Sequence, residues 1–374
     1  MAVQNQGPAR RINAFWLIMT LYSVVVTSGW SLPRMTSPTY SRKYTYWKQI
    51  DPSVASSGTS ENNSNLREEL EESYSYTEAF RNFGVQRPAW KAPPFVWKWA
   101  HRLFMKILPL LHAFEDKNYP IPPESSLCLP ILWWKALLHR TNPSAGAWAY
   151  DLLPSKTRWI ARFKWFFPPL HHKNVQLRTT FLDDRASTIA TQARSDGFTN
   201  IRLVVLGAGY DLRSLRFLEK GIVDEAIELD LPNVIDAKKA LLNSSIFQRR
   251  RPSCKKFPVM VGADLNDDVA TKETLGRLLL PKEDPIERTF TIFLLEGVLV
   301  HLESGSTQKI LRLLRDLSFN EESSCLVFCD YIRGVTNRSL HLAQEVLHKT
   351  GWELSEFLAT PTKTPHFGVA RCVE

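Results

Sequence analysis

The chain has only five cysteines in 374 residues, an odd number without compact spacing. In a chain long enough to bury a real core, this excludes a disulfide framework as the organising device. Cys325 and Cys329 lie four apart in an apolar run, with no His or further Cys nearby, so buried thiols are expected there rather than ligands. The nine His and five Cys form no ligand spacing, so no metal is expected, and the pair His171-His172 reads as loop. No G-x-x-x-x-G-K-[ST] occurs, which excludes a P-loop, and no internal repeat is visible. Only one apolar run reaches spanning length, which excludes a polytopic membrane protein. Acidic residues are missing from the first 50 positions, where six basic side chains precede Asp51.

Apolar residues make up 44% of the chain and charged ones 23%, the usage of an ordinary globular protein of one large or two smaller domains. The net charge of +9 is unevenly spread. Residues 1–200 carry 24 basic and 14 acidic side chains, and the remainder 23 and 24. The C-terminal half therefore offers no basic face, and nucleic acid is not expected as a partner.

Residues 12–29 carry no charge, follow Arg10-Arg11 and end in Thr27, Ser28 and Gly29, the order of a secretory signal. Residues 30–50 are Ser/Thr-rich, basic and acid-free, like a transit peptide. The tandem resembles the bipartite leaders of plastid proteins. It points to a plastid or secretory-route organelle, with an uncleaved membrane anchor through residues 12–29 as the alternative. The division expected is a leader or anchor over 1–50, a polar linker over 51–75, a helical aromatic-rich cap over 76–139 and a catalytic domain over 140–374. The cap holds Trp90, Trp97, Trp99, Trp133 and Trp134 among basic residues. It reads either as a membrane-surface segment or as helices packed on the domain.

From residue 176 the pattern alternates. Helix formers fill 176–194. Strands are expected at 201–206, 225–230, 257–262, 289–295, 325–332 and 366–373. Helices fall between them at 211–220, 233–242 with Asn233 as cap, after Ser304 or Ser306, and at 339–350. Strand–helix alternation implies an α/β fold: a Rossmann-like, mostly parallel twisted sheet with helices on both faces, plus the N-terminal helical, aromatic extension. In such sheets ligands bind beyond the carboxyl ends of the strands. There the sequence places Gly207-Ala208-Gly209, then Asp230, then Asp264-Leu265, then Glu296. Glycines allow a tight turn and close ligand approach. The acids can accept from ribose hydroxyls and an adenine amino group, with Leu265 covering the ring. The third glycine of G-x-G-x-x-G is missing, which counts against a nicotinamide oxidoreductase.

LGAGYDLRSLRF (206–217) resembles the L-G-A-G-x-D-x-R-x-x-R pattern of leucine carboxyl methyltransferases and their bacterial relatives. ELDLP (228–232), GADL (262–265), LLEGVLVHL (294–302) and Arg178-Thr179 with FLDD (181–184) are similar to further blocks, in order, over roughly residues 140–374. The resemblance implies a class I methyltransferase fold using S-adenosyl-L-methionine. Gly207 and Gly209 would border the methionine moiety, Asp230 the ribose, Asp264 and Leu265 the adenine, and Glu296 would face the cofactor. Arg178, with Arg185 as competitor, would meet the methionine carboxylate. A second basic contact of the family, farther upstream, has no matching position. The family's frequent Tyr in the fourth-strand block is His301 here.

The implied reaction is O-methylation, of a carboxylate on a protein C-terminus or small acid. A carboxylate needs positioning rather than a base. Arg213 or Arg216 could orient it, or stand as solvated helix charges. A hydroxyl acceptor would need a base, for which His301 is the candidate. The competing class is a membrane-associated, non-catalytic binding protein that keeps the fold.

Overall fold

The computed structural model describes residues 128–140, 142–153, 158, 169–279, 288–303, 305–318, 323–332, 340–358 and 366–373. All lie within the Lys48–Glu374 unit. The leader, the linker and Trp90, Trp97 and Trp99 fall outside the described residues. Among the described residues no helix is long and apolar enough to cross a membrane.

Seven strands form one sheet. They are β1 (Asn200–Leu206), β2 (Glu225–Asp230), β3 (Val259–Gly262), β4 (Thr289–Glu296), β5 (Ser324–Asp330), β6 (Trp352–Leu358) and β7 (His366–Cys372), in the spatial order β3-β2-β1-β4-β5-β7-β6. The first five are mutually parallel, while β7 runs antiparallel to both β5 and β6. Chain order reverses between β1 and β4, so the crevice outside their carboxyl ends is where a ligand is expected. Every residue of β1 is buried, which fits a central strand covered on both faces.

Helices supply that cover. α1 (Cys128–Leu137) and α2 (Pro143–Leu152) precede the long α3 (Pro169–Ser195). After them come α4 (Arg213–Glu219), α5 (Pro232–Leu242), α6 (Ser245–Arg250), α7 (Asp268–Leu279), α8 (Ser306–Asp316) and α9 (Leu340–His348). On one face Val204, Leu206, Leu229 and Phe293 pack with Leu275 of α7, Ile310 and Leu314 of α8 and Leu347 of α9. On the other, Phe181 of α3 meets Phe367 of β7 edge-on at 5.4 Å. A second apolar cluster joins Trp133, Trp134 and Leu137 of α1 to Trp148 of α2, Leu215 of α4 and Val234 and Leu241 of α5. Trp133 is fully buried. The described part of the aromatic region is thus packed on the domain.

Several expectations are corrected locally. The helix expected from 176 begins at Pro169, so the backbone at His171 and His172 is helical rather than loop. Asn233 does not cap α5. Pro232 opens that helix, where its missing N–H costs nothing, and Leu231 stands at the cap position. α8 starts after Gly305, whose φ of 88° is left-handed, and Ser306 lies inside the helix. The fifth strand ends at Asp330 rather than 332. β6 was not expected as a strand: WELSEFL holds two glutamates, and a bulge between Leu354 and Glu356 breaks its alternation.

Candidate functional site

A pocket of about 570 Å³ opens at the carboxyl ends of β1, β2, β4 and β5, beneath α1. Arg178, Gly207, Gly209, Asp230, Asp264, Leu265, Glu296 and His301, all singled out from the sequence, line it together.

The floor is the turn after β1. Gly207 has φ +65° and Gly209 +46°. A Cβ on Gly207 would sit 2.5 Å from Val298 Cγ2, and one on Gly209 would sit 3.2 Å from Cys128 Sγ. Backbone and space therefore both demand glycine at 207. The Gly209 N–H donates to Asp230 Oδ2 at 2.6 Å, and the Leu231 N–H to Asp230 Oδ1 at 2.7 Å. Burial pushes the Asp230 carboxyl up, while the Gly209 and Leu231 amides and Lys238 oppose that shift. Beneath the turn, Lys238 Nζ pairs with Glu228 at 2.7 Å, both fully buried, and donates to the Asp211 carbonyl oxygen. Each Asp230 oxygen keeps lone pairs beyond the one amide it accepts, so the carboxylate can take further donors from the pocket side.

One wall is a cluster of charges around Glu296, the last residue of β4. Its carboxylate accepts from Lys135 Nζ at 2.9 Å and from Arg178 Nη2 at 2.9 Å, and lies 3.0 Å from Arg213 Nη1. Asp211 pairs with Lys135 at 3.0 Å and also with Arg213. Asp183 joins Arg213 at 2.8 Å to Arg216 at 2.7 Å. Burial would raise the Glu296 carboxyl, but Lys135, Arg213 and Arg178 outweigh it and hold it well below the usual carboxylate range. Asp211 is lowered in the same way: burial raises it, and Arg213 with Lys135 overcomes that. The ion-paired set comprises four cations (Lys135, Arg178, Arg213, Arg216) and three anions (Asp183, Asp211, Glu296), an excess of one positive charge.

The geometry bears on two alternatives. Arg185 turns away from the pocket to pair with Glu356 of β6 at 2.7 Å, leaving Arg178 as the arginine of the wall. Arg213 and Arg216 are buried and ion-paired, so they are neither solvated charges nor free to orient an acceptor.

The opposite rim is formed after β3 and β4. Leu265 is buried. Asp264 Oδ1 accepts from the Asn266 amide N–H at 3.0 Å, and Asn266 Oδ1 accepts from the Glu303 N–H at 2.8 Å. His301 is exposed on the 3-10 turn Leu299–His301. That turn is shaped by Asp330 at the end of β5, which accepts from the N–H groups of Val298 (2.6 Å), Leu299 (2.9 Å) and Val300 (3.3 Å). Burial nevertheless pushes the Asp330 carboxyl up against these amides.

Two residues of the site escaped sequence reasoning. Lys135 lies 161 positions before its partner Glu296 and sits inside an apolar run, ILWWKALL. Its only signal was a charge among buried-looking neighbours. Asp330 lies two positions before the end of the strand expected at 325–332, so the sequence does not mark it as a strand-end acid. The cysteines of β5, Cys325 and Cys329, are buried thiols, as expected. Among the described residues no group of three or more His, Cys, Asp or Glu could hold a metal.

Residues 142–315 match the family model described as leucine carboxyl methyltransferase. No curated protein matches the chain. Among solved structures, magnesium protoporphyrin IX methyltransferase from Synechocystis PCC 6803, with bound SAM, is 12% identical, covers 56% of this chain and 85% of its own, with a TM-score of 0.35. The glycopeptide N-methyltransferase MtfA is also 12% identical, covers 51% and 95%, and scores 0.31. The O-methyltransferase NcsB1 from neocarzinostatin biosynthesis is 12% identical, covers 63% and 60%, and scores 0.33. These scores lie below 0.5, so the assignment stands on the family model and the matching motifs. Residues 142–315, which build the glycine turn and most of the charged wall, are thus the part of the chain that is similar to leucine carboxyl methyltransferase.

Proposed function

We propose that the chain transfers a methyl group from S-adenosylmethionine to a carboxylate oxygen of an acid, either a small molecule or a protein C-terminus. The observation that carries this reading is the distribution of charge in the pocket. Two cations, Lys135 and Arg178, line one wall, and Asp230 with spare acceptor capacity lies beyond the glycine turn. That is the pattern a zwitterionic amino-acid moiety joined to a nucleoside would need.

Arg178 and Lys135 would hold the methionine carboxylate, and Glu296 would fix both side chains in place. Asp230 would accept from the ribose hydroxyls, and Asp264 and Leu265 would take the adenine edge and face. When bound, the cofactor supplies a methyl group already activated on a sulfonium. The protein's share is then to orient the acceptor and exclude water. An acid acceptor is ionised at neutral pH and needs no general base. His301, exposed at the rim, would serve as base only for a hydroxyl acceptor.

The uncharged run 12–29 and the acid-free stretch 30–50 support delivery to a plastid or secretory-route organelle. A fluorescent protein carrying residues 1–50 tests this by where it accumulates, and diffuse cytosolic signal would end that proposal.

The chemical test uses the full chain, methyl-labelled S-adenosylmethionine, a panel of aliphatic and aromatic acids, and peptides with free or amidated C-termini. Carboxyl methyl esters release methanol in mild alkali, whereas methyl ethers and methylamines do not. Alkali-labile label on acids is expected. Alkali-stable label alone would move the reaction to another acceptor atom.

A further inference from the structure

The basic side chains of the pocket wall are already ion-paired, whereas its mouth carries exposed apolar groups. Lys135, Arg178 and Arg213 are all paired with Glu296. Six large apolar side chains stand exposed among the described residues, and three of them, Leu231, Val300 and Tyr331, line this pocket. Tyr331 differs from the other two in how it is held. Its ring stacks on His366 at 5.7 Å with planes 26° apart, and His366 stacks in turn on Phe357 at 5.8 Å and 26°.

His366 and Phe357 are buried at 4% and 1% exposure, whereas Tyr331 is 44% exposed. The column is anchored from the sheet. His366 pairs in register with Asp330 across β5 and β7, and its Nδ1 accepts from the Ile332 N–H at 3.2 Å. Backbone is thus fixed on both sides of Tyr331, and the ring is supported by two buried rings. Aromatic rings favour offset stacking on one another, and a rigid ring gives up little freedom on binding.

We propose that Tyr331 is the acceptor platform, and that the acceptor is a planar aromatic acid. Its ring extends the Phe357–His366–Tyr331 column, with Leu231 and Val300 flanking it. This rests on the methyltransferase reading of the pocket and narrows its acceptor to small aromatic acids over aliphatic ones and protein C-termini. His366 is a positioning residue here and acts only through Tyr331.

The test is calorimetric binding to the full chain saturated with S-adenosylhomocysteine. The probes are 2-naphthoate and its saturated counterpart of similar size, trans-decalin-2-carboxylate. The planar acid is expected to bind at least tenfold more tightly. That preference should vanish in Tyr331→Ala, persist in Tyr331→Phe, and shrink in His366→Ala, with affinity for S-adenosylhomocysteine unchanged in all three. Equal affinity for the two acids, no binding of either, or an unaltered preference in Tyr331→Ala would each overturn the platform while leaving the cofactor site standing. Failure of S-adenosylhomocysteine itself to bind would remove the underlying reading, and the platform with it.

Discussion

At the scale of single residues, the site is governed by positions where a side chain has no alternative. Gly207 is one. Its φ of +65° is disfavoured for any residue with a Cβ, by about 1–2 kcal/mol, and that Cβ would press into Val298. Gly207→Ala should lower the melting temperature and weaken S-adenosylmethionine by roughly tenfold or more, read by calorimetry on the folded variant. Glu296 is another, because it alone joins Lys135, Arg178 and Arg213. Glu296→Gln removes the anion paired with Arg178 and leaves Lys135 to Asp211 and Arg213 to Asp211 and Asp183, and about 3–5 kcal/mol of stability should be lost at pH 7.

The pH dependence of that loss has a definite sign. The folded Glu296 carboxyl titrates below its unfolded value of about 4.3. Its contribution is therefore complete above that value and is lost as pH falls through the lower folded value. Urea unfolding of wild type and Glu296→Gln should show a gap that is constant above about pH 5 and narrows in more acid solution. A gap independent of pH would refute the assignment of Glu296 as the ionised hub. Gly207, Gly209, Asp230 and Glu296 are legible in the sequence because each closes a strand or lies in the turn just after one, so local pattern and ligand geometry coincide. Lys135 is not, because only tertiary packing brings α1 over the strand ends.

At the scale of elements, α1 and α3 convert a generic strand-end crevice into a walled site. α1 is held by apolar packing and by one buried charge. Trp133, fully buried in the cluster that ties α1 to α2, α4 and α5, should cost about 3–5 kcal/mol when truncated to Ala. The two arginines of α3 give a sharper comparison, for they lie on one helix and face different partners. Arg178→Met should weaken the cofactor, because it takes a cation from the pocket wall. Arg185→Met should cost stability and leave cofactor affinity intact, because its partner Glu356 belongs to β6. Equal effects of the two on binding would show that the wall is misassigned.

The same helix explains what the sequence concealed. The run 176–194 was visible by composition, but its extension back to Pro169 crosses His171-His172, which carry no periodic signal. β6 escaped for a related reason. Glu356 is acceptable in a buried strand only because Arg185, 171 residues earlier, neutralises it. The parallel strands β1, β4 and β5 are readable because strands covered on both faces become near-continuous apolar runs.

For the molecule as a whole, chain order reverses between β1 and β4, and the sheet delivers its strand ends to one crevice there. Helices pack on both sheet faces, and Lys135 and Arg178 line the same pocket as Asp230 and Asp264. In the reading proposed above, that pocket receives one ligand that is zwitterionic at one end and nucleoside-like at the other. The most direct test is calorimetric titration of the full chain with S-adenosylmethionine and, separately, with NAD, in wild type and Asp230→Asn. The account predicts binding of S-adenosylmethionine alone, strongly weakened in a variant that unfolds at a temperature close to wild type. Binding of NAD in preference, or binding of S-adenosylmethionine untouched by Asp230→Asn, would contradict it.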